Sequence, residues 1–172
     1  PLEGRNRNKV YNAAIDGREC FLKAYDLTGT TAIAVEAELK TLHKLRHPNI
    51  VTIQSVFQHQ ERGVTFMYVQ MPRYRGDFEK YLLDNRDDGV HPGQLRRILL
   101  GVLRAVARVH ERELTHNDIK LENILITPDG DAVLSDFELC KEDKGSYTLL
   151  TCNTAETIVG GTEYCMAEER MT

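Results

Sequence analysis

The 172-residue chain has no apolar run approaching the ~20 residues of a membrane span. Nothing in it therefore reads as a membrane protein. It has no excess of positive charge: 22 Lys and Arg stand against 26 Asp and Glu, a net charge of −4. That balance gives no polybasic surface for nucleic acid or lipid. Its four cysteines, Cys20, Cys140, Cys152 and Cys165, form no CxxC pair. They read as free thiols of a reducing compartment rather than a disulfide frame or a zinc site, which points to an intracellular, cytoplasmic protein. The first residues, Pro1-Leu2-Glu3-Gly4-Arg5, lack both an initiating Met and the pattern of a signal peptide, as expected of an excerpt. Repeats and low-complexity tracts are also missing. What is present is a globular composition, 41% hydrophobic and 28% charged. A chain of this length can bury roughly 70% of its unfolded surface without staples.

The periodicity changes along the chain. Cys20 to Tyr25 is β-prone, and the chain up to about Thr28 reads as short strands. Val35, Leu39, Leu42 and Leu45 then recur at helical spacing, until His47-Pro48-Asn49 stops the helix. Two further strands are expected over Ile50–Phe57 and Val64–Met71, with a hairpin turn at Glu61-Arg62-Gly63. A connector, Pro72–Gly76, leads to a short helix starting at Asp77, and Asn85–Gly93 reads as a loop. Leu95, Ile98, Leu99, Val102, Leu103, Val106 and Val109 give the strongest helix signal in the chain. Ile124–Ile126 and Ala132–Leu134 flank turn chemistry at Pro128-Asp129-Gly130. From Glu138 to Thr172 periodicity vanishes, and a long irregular segment is expected. The order implies an α+β arrangement in two lobes.

The chemistry concentrates around one hairpin. His116-Asn117-Asp118-Ile119-Lys120-Leu121-Glu122-Asn123 precedes it, and Asp136-Phe137-Glu138 ends it. Two carboxylates and an amide brought together this way offer the hard oxygen ligands that Mg²⁺ shares with substrate phosphates. One carboxylate can accept a hydroxyl proton, and a lysine two residues along can neutralise a transferring phosphoryl group.

This run resembles the catalytic loop of eukaryotic protein kinases, HRDxKxxN, followed by DFG. Cys20-Phe21-Leu22-Lys23 is similar to the family's VAIK strand. Glu38, nine residues before His47-Pro48-Asn49-Ile50-Val51, matches the helix glutamate that pairs the strand lysine. Gly161 to Glu169 resembles the GTxxYMAPE end of the activation segment. The resemblance runs from about Leu2 to Glu169. It implies a two-lobed kinase-like α+β fold, with a small β-rich N-lobe over 1–71, a hinge over 72–76 and an incomplete helical C-lobe over 77–172.

The resemblance also implies roles. Lys23 would hold the α- and β-phosphates of ATP, oriented by Glu38. Val10, Phe21, Gln70, Met71 and Leu125 would line the nucleotide site. Asp118 would be the catalytic base and Lys120 would contact the γ-phosphate, in the form typical of Ser/Thr-directed members. Asn123 and Asp136 would bind Mg²⁺. Leu42, Ile53, His116 and Phe137 match the stacked residues that join the lobes. ATP and a protein Ser or Thr would be the partners, with no nucleic acid or membrane.

Departures from the family pattern are several. Where the glycine-rich loop expects glycine stand Glu3, Arg5 and Asn8, with Gly4 one place off. Phe21 holds the alanine position of VAIK, Asn117 replaces the arginine of HRD, Glu138 the glycine of DFG and Glu168 the proline of APE. The chain ends where the family continues with further helices and a tryptophan, so a domain truncated after the activation segment is expected, with apolar surface exposed along the long helix. Thr148, Thr151, Thr154 and Thr157 are candidate phosphorylation sites or ordinary loop residues. Two other readings stay open: a pseudokinase acting as a binding or scaffold module, and a small-molecule phosphotransferase on a kinase-like fold.

Overall fold

Two Gly-containing hairpins build the first layer. The computed structural model describes residues 9–27 and 31–142. Strands β1 (Lys9–Ile15) and β2 (Arg18–Asp26) are joined by Asp16-Gly17, both at positive φ, +50° and +75°. Strands β3 (Ser55–Glu61) and β4 (Val64–Pro72) are joined by Arg62-Gly63, at +50° and +82°. A two-residue loop with positive φ at both positions matches the twist of the strands it connects, and glycine takes the second position without strain. The sheet is antiparallel, in the order β1-β2-β4-β3. Helix α1 (Thr31–Lys44) buries Val35 and Leu42. Glu38 lies on the same face, three residues from one and four from the other.

The second layer starts at β5 (Gly76–Asp77). Asp77 caps helix α2 (Phe78–Asp84) by accepting the Lys80 N–H at 2.8 Å. Helix α3 (Pro92–His110) lies against β8 and buries Ile98, Gly101, Ala105 and Val109. Strand β6 (Leu114–Thr115) and a 3-10 turn (Leu121–Asn123) follow, then β7 (Ile124–Ile126) and β8 (Ala132–Leu134), which with β5 form a sheet ordered β5-β7-β8. The main core runs between the layers: Leu42, Leu45, Ile50, Phe78, Ile98, Ile126, Leu134 and Phe137 belong to one buried cluster. The result is a two-lobed α+β domain with a β-rich first lobe.

Four expectations change. The strand expected from Ile50 begins only at Ser55. Ile50 and Val51 are buried, but their backbone joins β8: Val51 N–H donates to the Leu134 carbonyl at 2.9 Å, and Leu134 N–H to Asn49 at 2.8 Å. Their apolar signal was that of a seam between lobes, not of the hairpin. The loop expected over Asn85–Gly93 ends at His91, whose Nδ1 accepts the Gly93 N–H, so Pro92 and Gly93 are the first helical residues. Proline suits that place because its missing N–H has no helical partner to lose. The segment after Glu138 is not wholly irregular, since β9 (Lys141–Glu142) pairs with β6. Gln70, expected at the nucleotide site, lies on the face of β4 opposite Val69 and Met71, with its side chain accepting from Ser55 Oγ at 2.6 Å. The expected apolar exposure along α3 is present at Leu95, Leu99, Leu100 and Leu103.

Candidate active site

Strand alternation places Phe21, Lys23 and Tyr25 on one face of β2. The Lys23 ammonium donates to Glu38 Oε1 at 3.4 Å, to Asp136 Oδ1 at 3.3 Å and to Glu138 Oε1 at 3.1 Å. It also lies 4.9 Å from the centre of the Tyr25 ring, and Tyr25 donates its hydroxyl to Glu38 Oε2 at 2.7 Å. Burial opposes the charge on Lys23, but Glu38, then Tyr25, Asp136 and Glu138, outweigh it and hold its pKa well above the usual lysine range. Burial likewise raises Glu38, against the pull of Lys23 and the Tyr25 bond, with Glu138 and Asp136 adding to the rise. The two shifts have one sense for different reasons: burial raises Glu38, and the surrounding carboxylates raise Lys23, so both groups hold their protons tightly.

The catalytic-loop residues are fixed by local bonds. Asn123 donates its side-chain amide to the Asp118 carbonyl at 2.8 Å and to Asp118 Oδ2 at 2.9 Å. Lys120 reaches the same Oδ2 at 2.9 Å, and although burial works against its charge, Asp118 raises its pKa. The amide carbonyl of Asn123 is then the atom it can turn to a hard cation. Ser135, beside Asp136, donates both its N–H and its hydroxyl to the Asn123 main-chain carbonyl, at 2.8 and 3.0 Å, which ties the metal-ligand candidates together and leaves the side-chain carbonyl out of these bonds. Asp136 sits at φ +63° and Asn117 at +67°, a left-handed backbone that Asp and Asn tolerate better than most residues.

His116 is packed rather than reactive. Its ring meets Phe137 edge-on at 4.6 Å, Nδ1 accepts the Asp118 N–H, and Nε2 lies 3.0 Å from the Ser135 carbonyl. One acceptor and one donor define a neutral ring, and burial lowers its pKa. Leu42 and Phe137 belong to the main buried cluster, and Ile53 packs against both hydrophobic clusters. Asn117, in place of an arginine, donates to the Leu139 carbonyl at 2.9 Å and the Thr115 carbonyl at 3.3 Å.

Of the nucleotide-lining candidates, Phe21, Met71 and Leu125 pack half-buried against the main core, and Phe21 lies 6.1 Å from Tyr74. Val10 stands opposite Lys23 in the β1–β2 ladder. A cleft of about 120 Å³ is lined by Asp118, Asp136, Glu138 and Leu139. Pockets for whole small molecules run to ~300 Å³ and above, so this cleft is smaller than a site for a whole ligand. Cys20 and Cys140 are free thiols, and burial pushes Cys140 up to about 11. Glu3 to Asn8, the four threonines, Cys152, Cys165 and Gly161–Glu169 lie outside the described residues.

Sequence reading named Glu138 only as a missing glycine and did not foresee its contact with Lys23. Tyr25 and Ser135 were not anticipated either. The signal for Tyr25 was its even spacing from Lys23 on the strand.

The cleft of this two-lobed α+β domain gathers a buried lysine–glutamate pair, an aspartate–lysine pair and an aspartate–asparagine hydrogen bond. The family model described as protein kinase domain matches residues 9–171, and the chain belongs to that family. It is 28% identical over 167 residues to cyclin-dependent kinase 17 of Caenorhabditis elegans, covering 93% of this chain and 24% of the relative. It is 26% identical over 167 residues to cyclin-dependent kinase 15 of Mus musculus, covering 91% and 37%. A bifunctional serine/threonine-protein kinase/NEDD4-like E3 ubiquitin-protein ligase of Dictyostelium discoideum is 27% identical, covering 94% and 8%. The chain thus spans less than two fifths of the length of each of these relatives.

Proposed function

We propose that this chain carries the ATP- and Mg²⁺-dependent phosphoryl-transfer site of a protein serine/threonine kinase. The observation that carries the reading is the meeting of Lys23 and Asp136, 113 residues apart in sequence, at 3.3 Å. The serine/threonine-protein kinase name of the Dictyostelium discoideum relative and the lysine at position 120 support the specificity. The donor set fits the group: Asp136 and the side-chain carbonyl of Asn123 are hard oxygen donors of the kind Mg²⁺ takes, and Lys23 is a cation for phosphate. Magnesium-bound ATP would supply the transferable phosphoryl group. Lys23, oriented by Glu38, would hold the inner phosphates; Asp118 would orient and deprotonate the substrate hydroxyl; Lys120 would neutralise the phosphoryl oxygens. Val10, Phe21, Met71 and Leu125 would form the apolar walls around the base. Residues 1–71, 72–76 and 77–172 would be N-lobe, hinge and C-lobe part. Free thiols favour an intracellular, cytoplasmic setting, and no helix among the described residues is long and apolar enough to cross a membrane.

Radiolabel transfer to a Ser/Thr peptide, together with nucleotide titration, tests the reading. Asp136→Asn should remove most transfer and weaken Mg²⁺-dependent nucleotide binding. Asp118→Asn should cut transfer with little change in binding. Transfer unaltered by both substitutions would remove these residues from the reaction. Nucleotide binding without transfer in the unsubstituted protein would favour a binding module.

A further inference from the structure

An ammonium group has three N–H donors. Those of Lys23 are matched by three acceptors: Glu38 at 3.4 Å, Asp136 at 3.3 Å and Glu138 at 3.1 Å. A phosphate that reaches Lys23 therefore competes with these carboxylates for its N–H groups. The three differ in exposure. The Glu38 side chain is 4% exposed and held by Tyr25, Asp136 is 17% exposed, and Glu138 is 39% exposed. Of the three, Glu138 keeps the most contact with water, where an ion pair is weakest.

The backbone around Glu138 is held on both sides. Phe137 before it is buried against His116. Leu139 after it is held by the Asn117 amide, Cys140 N–H donates to the Phe137 carbonyl, and β9 pairs with β6. Release of the carboxylate is thus a side-chain rotation and needs no melting of the segment. The same side chain lines the cleft shared with Asp118 and Asp136, so a group entering there meets it.

We propose that Glu138 is a displaceable internal ligand of Lys23, standing in the place of a nucleotide phosphate, so that nucleotide binds by exchanging its phosphate for this carboxylate. The inference rests on the nucleotide reading given above. The exchange forms and breaks only ion pairs. Its consequence is a built-in competitor at permanently high local concentration, which lowers affinity for the nucleotide at its phosphate end. Neutralising it also removes one negative charge from a cluster in which three carboxylates face one lysine.

The test is calorimetric titration of the full chain and its Glu138→Gln and Glu138→Gly variants with a non-hydrolysable ATP analogue at fixed excess Mg²⁺. Both variants should bind about tenfold more tightly than the unsubstituted protein. Glutamine keeps the shape and backbone restraint of glutamate without its charge, so it decides the matter even if the glycine variant folds poorly. Equal affinity in all three proteins would overturn the gate and leave the nucleotide reading standing. Tightening in Glu138→Gly alone would assign the effect to backbone freedom and overturn the gate as well. No binding by any of the three at millimolar analogue would remove the gate together with the nucleotide site.

Discussion

Substituting Lys23 with Met is the obvious way to test the proposed phosphate contact, yet the structure predicts that it also weakens the fold. The side chain of Lys23 is the common cation for Glu38, Asp136 and Glu138. Removing one partner of a buried pair leaves an uncompensated charge and typically costs about 3–5 kcal/mol. Glu38 carries most of that cost because it is almost fully buried. Glu138 contributes little, since a partly exposed pair contributes only about 0.2–1 kcal/mol. Glu38 retains the Tyr25 hydroxyl, which moderates the loss, so Lys23→Met is expected to lose about 3 kcal/mol at pH 8. Against a total stability of ~5–15 kcal/mol this is a large fraction. The loss should depend on pH. Glu38 has its folded pKa raised above its ordinary 4.5 even with Lys23 present, and losing the lysine raises it further. A raised carboxyl favours the fold when protonated, and that contribution disappears as pH rises through its folded value. The deficit of Lys23→Met should therefore shrink as pH falls from 8 toward 5. Urea unfolding of both proteins at several pH values measures it. Adding Glu38→Gln, which keeps an acceptor for Tyr25, should restore more than half of the loss at pH 8. A Lys23→Met protein within about 0.5 kcal/mol of the unsubstituted one at pH 8, or a deficit flat with pH, would refute the reasoning.

Three further outcomes are expected. His116 is buried neutral with its pKa below the ordinary 6.5, so its contribution is present above that value and declines as pH falls through the folded pKa; urea midpoints should fall below pH 6.5, with a slope of up to about 1.4 kcal/mol per pH unit, and His116→Phe should abolish that slope while retaining the ring contact with Phe137. Phe21→Ala should cost roughly 2 kcal/mol, about half the loss for a fully buried phenylalanine, and should tighten nucleotide binding by opening the slot under β2; unchanged calorimetric affinity would place the ring outside that slot. Gly101→Ala gains about 1 kcal/mol of helix propensity, but its Cβ would stand 2.9 Å from Asn49 Nδ2, which donates to the Ala132 carbonyl, and 3.2 Å from Ala132 Cβ; a net loss of about 1–3 kcal/mol is expected from overpacking, and a gain in thermal or urea stability would show that α3 can shift away from β8.

Much of the candidate site was legible in the chain because its chemistry is carried by residues close in sequence. Asp118, Lys120 and Asn123 lie within one loop, and the short turn between β7 and β8 brings Asp136 back to them. Helical periodicity likewise identified α1 and α3, and the alternation of β2 put Phe21 and Lys23 on one face. Other features depended on contacts that no local pattern records. Ile50 and Val51 carry the same apolar signal whether they extend a hairpin or join β8, and only their pairing with Leu134 decides. Pro92 and Gly93 look like loop chemistry until His91 caps the helix that they begin. Lys23 and Glu38 were paired only through the resemblance to the kinase family, and the structure brings them to 3.4 Å. Glu138 lies 115 residues from Lys23, and its carboxylate reaches the ammonium only after both lobes have packed on the shared core. The sequence by itself therefore determined which charged and polar groups the candidate site draws on. The tertiary structure alone decided how the three hydrogen-bond donors of one lysine are divided among carboxylates from a helix and from the segment after β8, because a short-range ion pair depends on distance in space and not on separation along the chain.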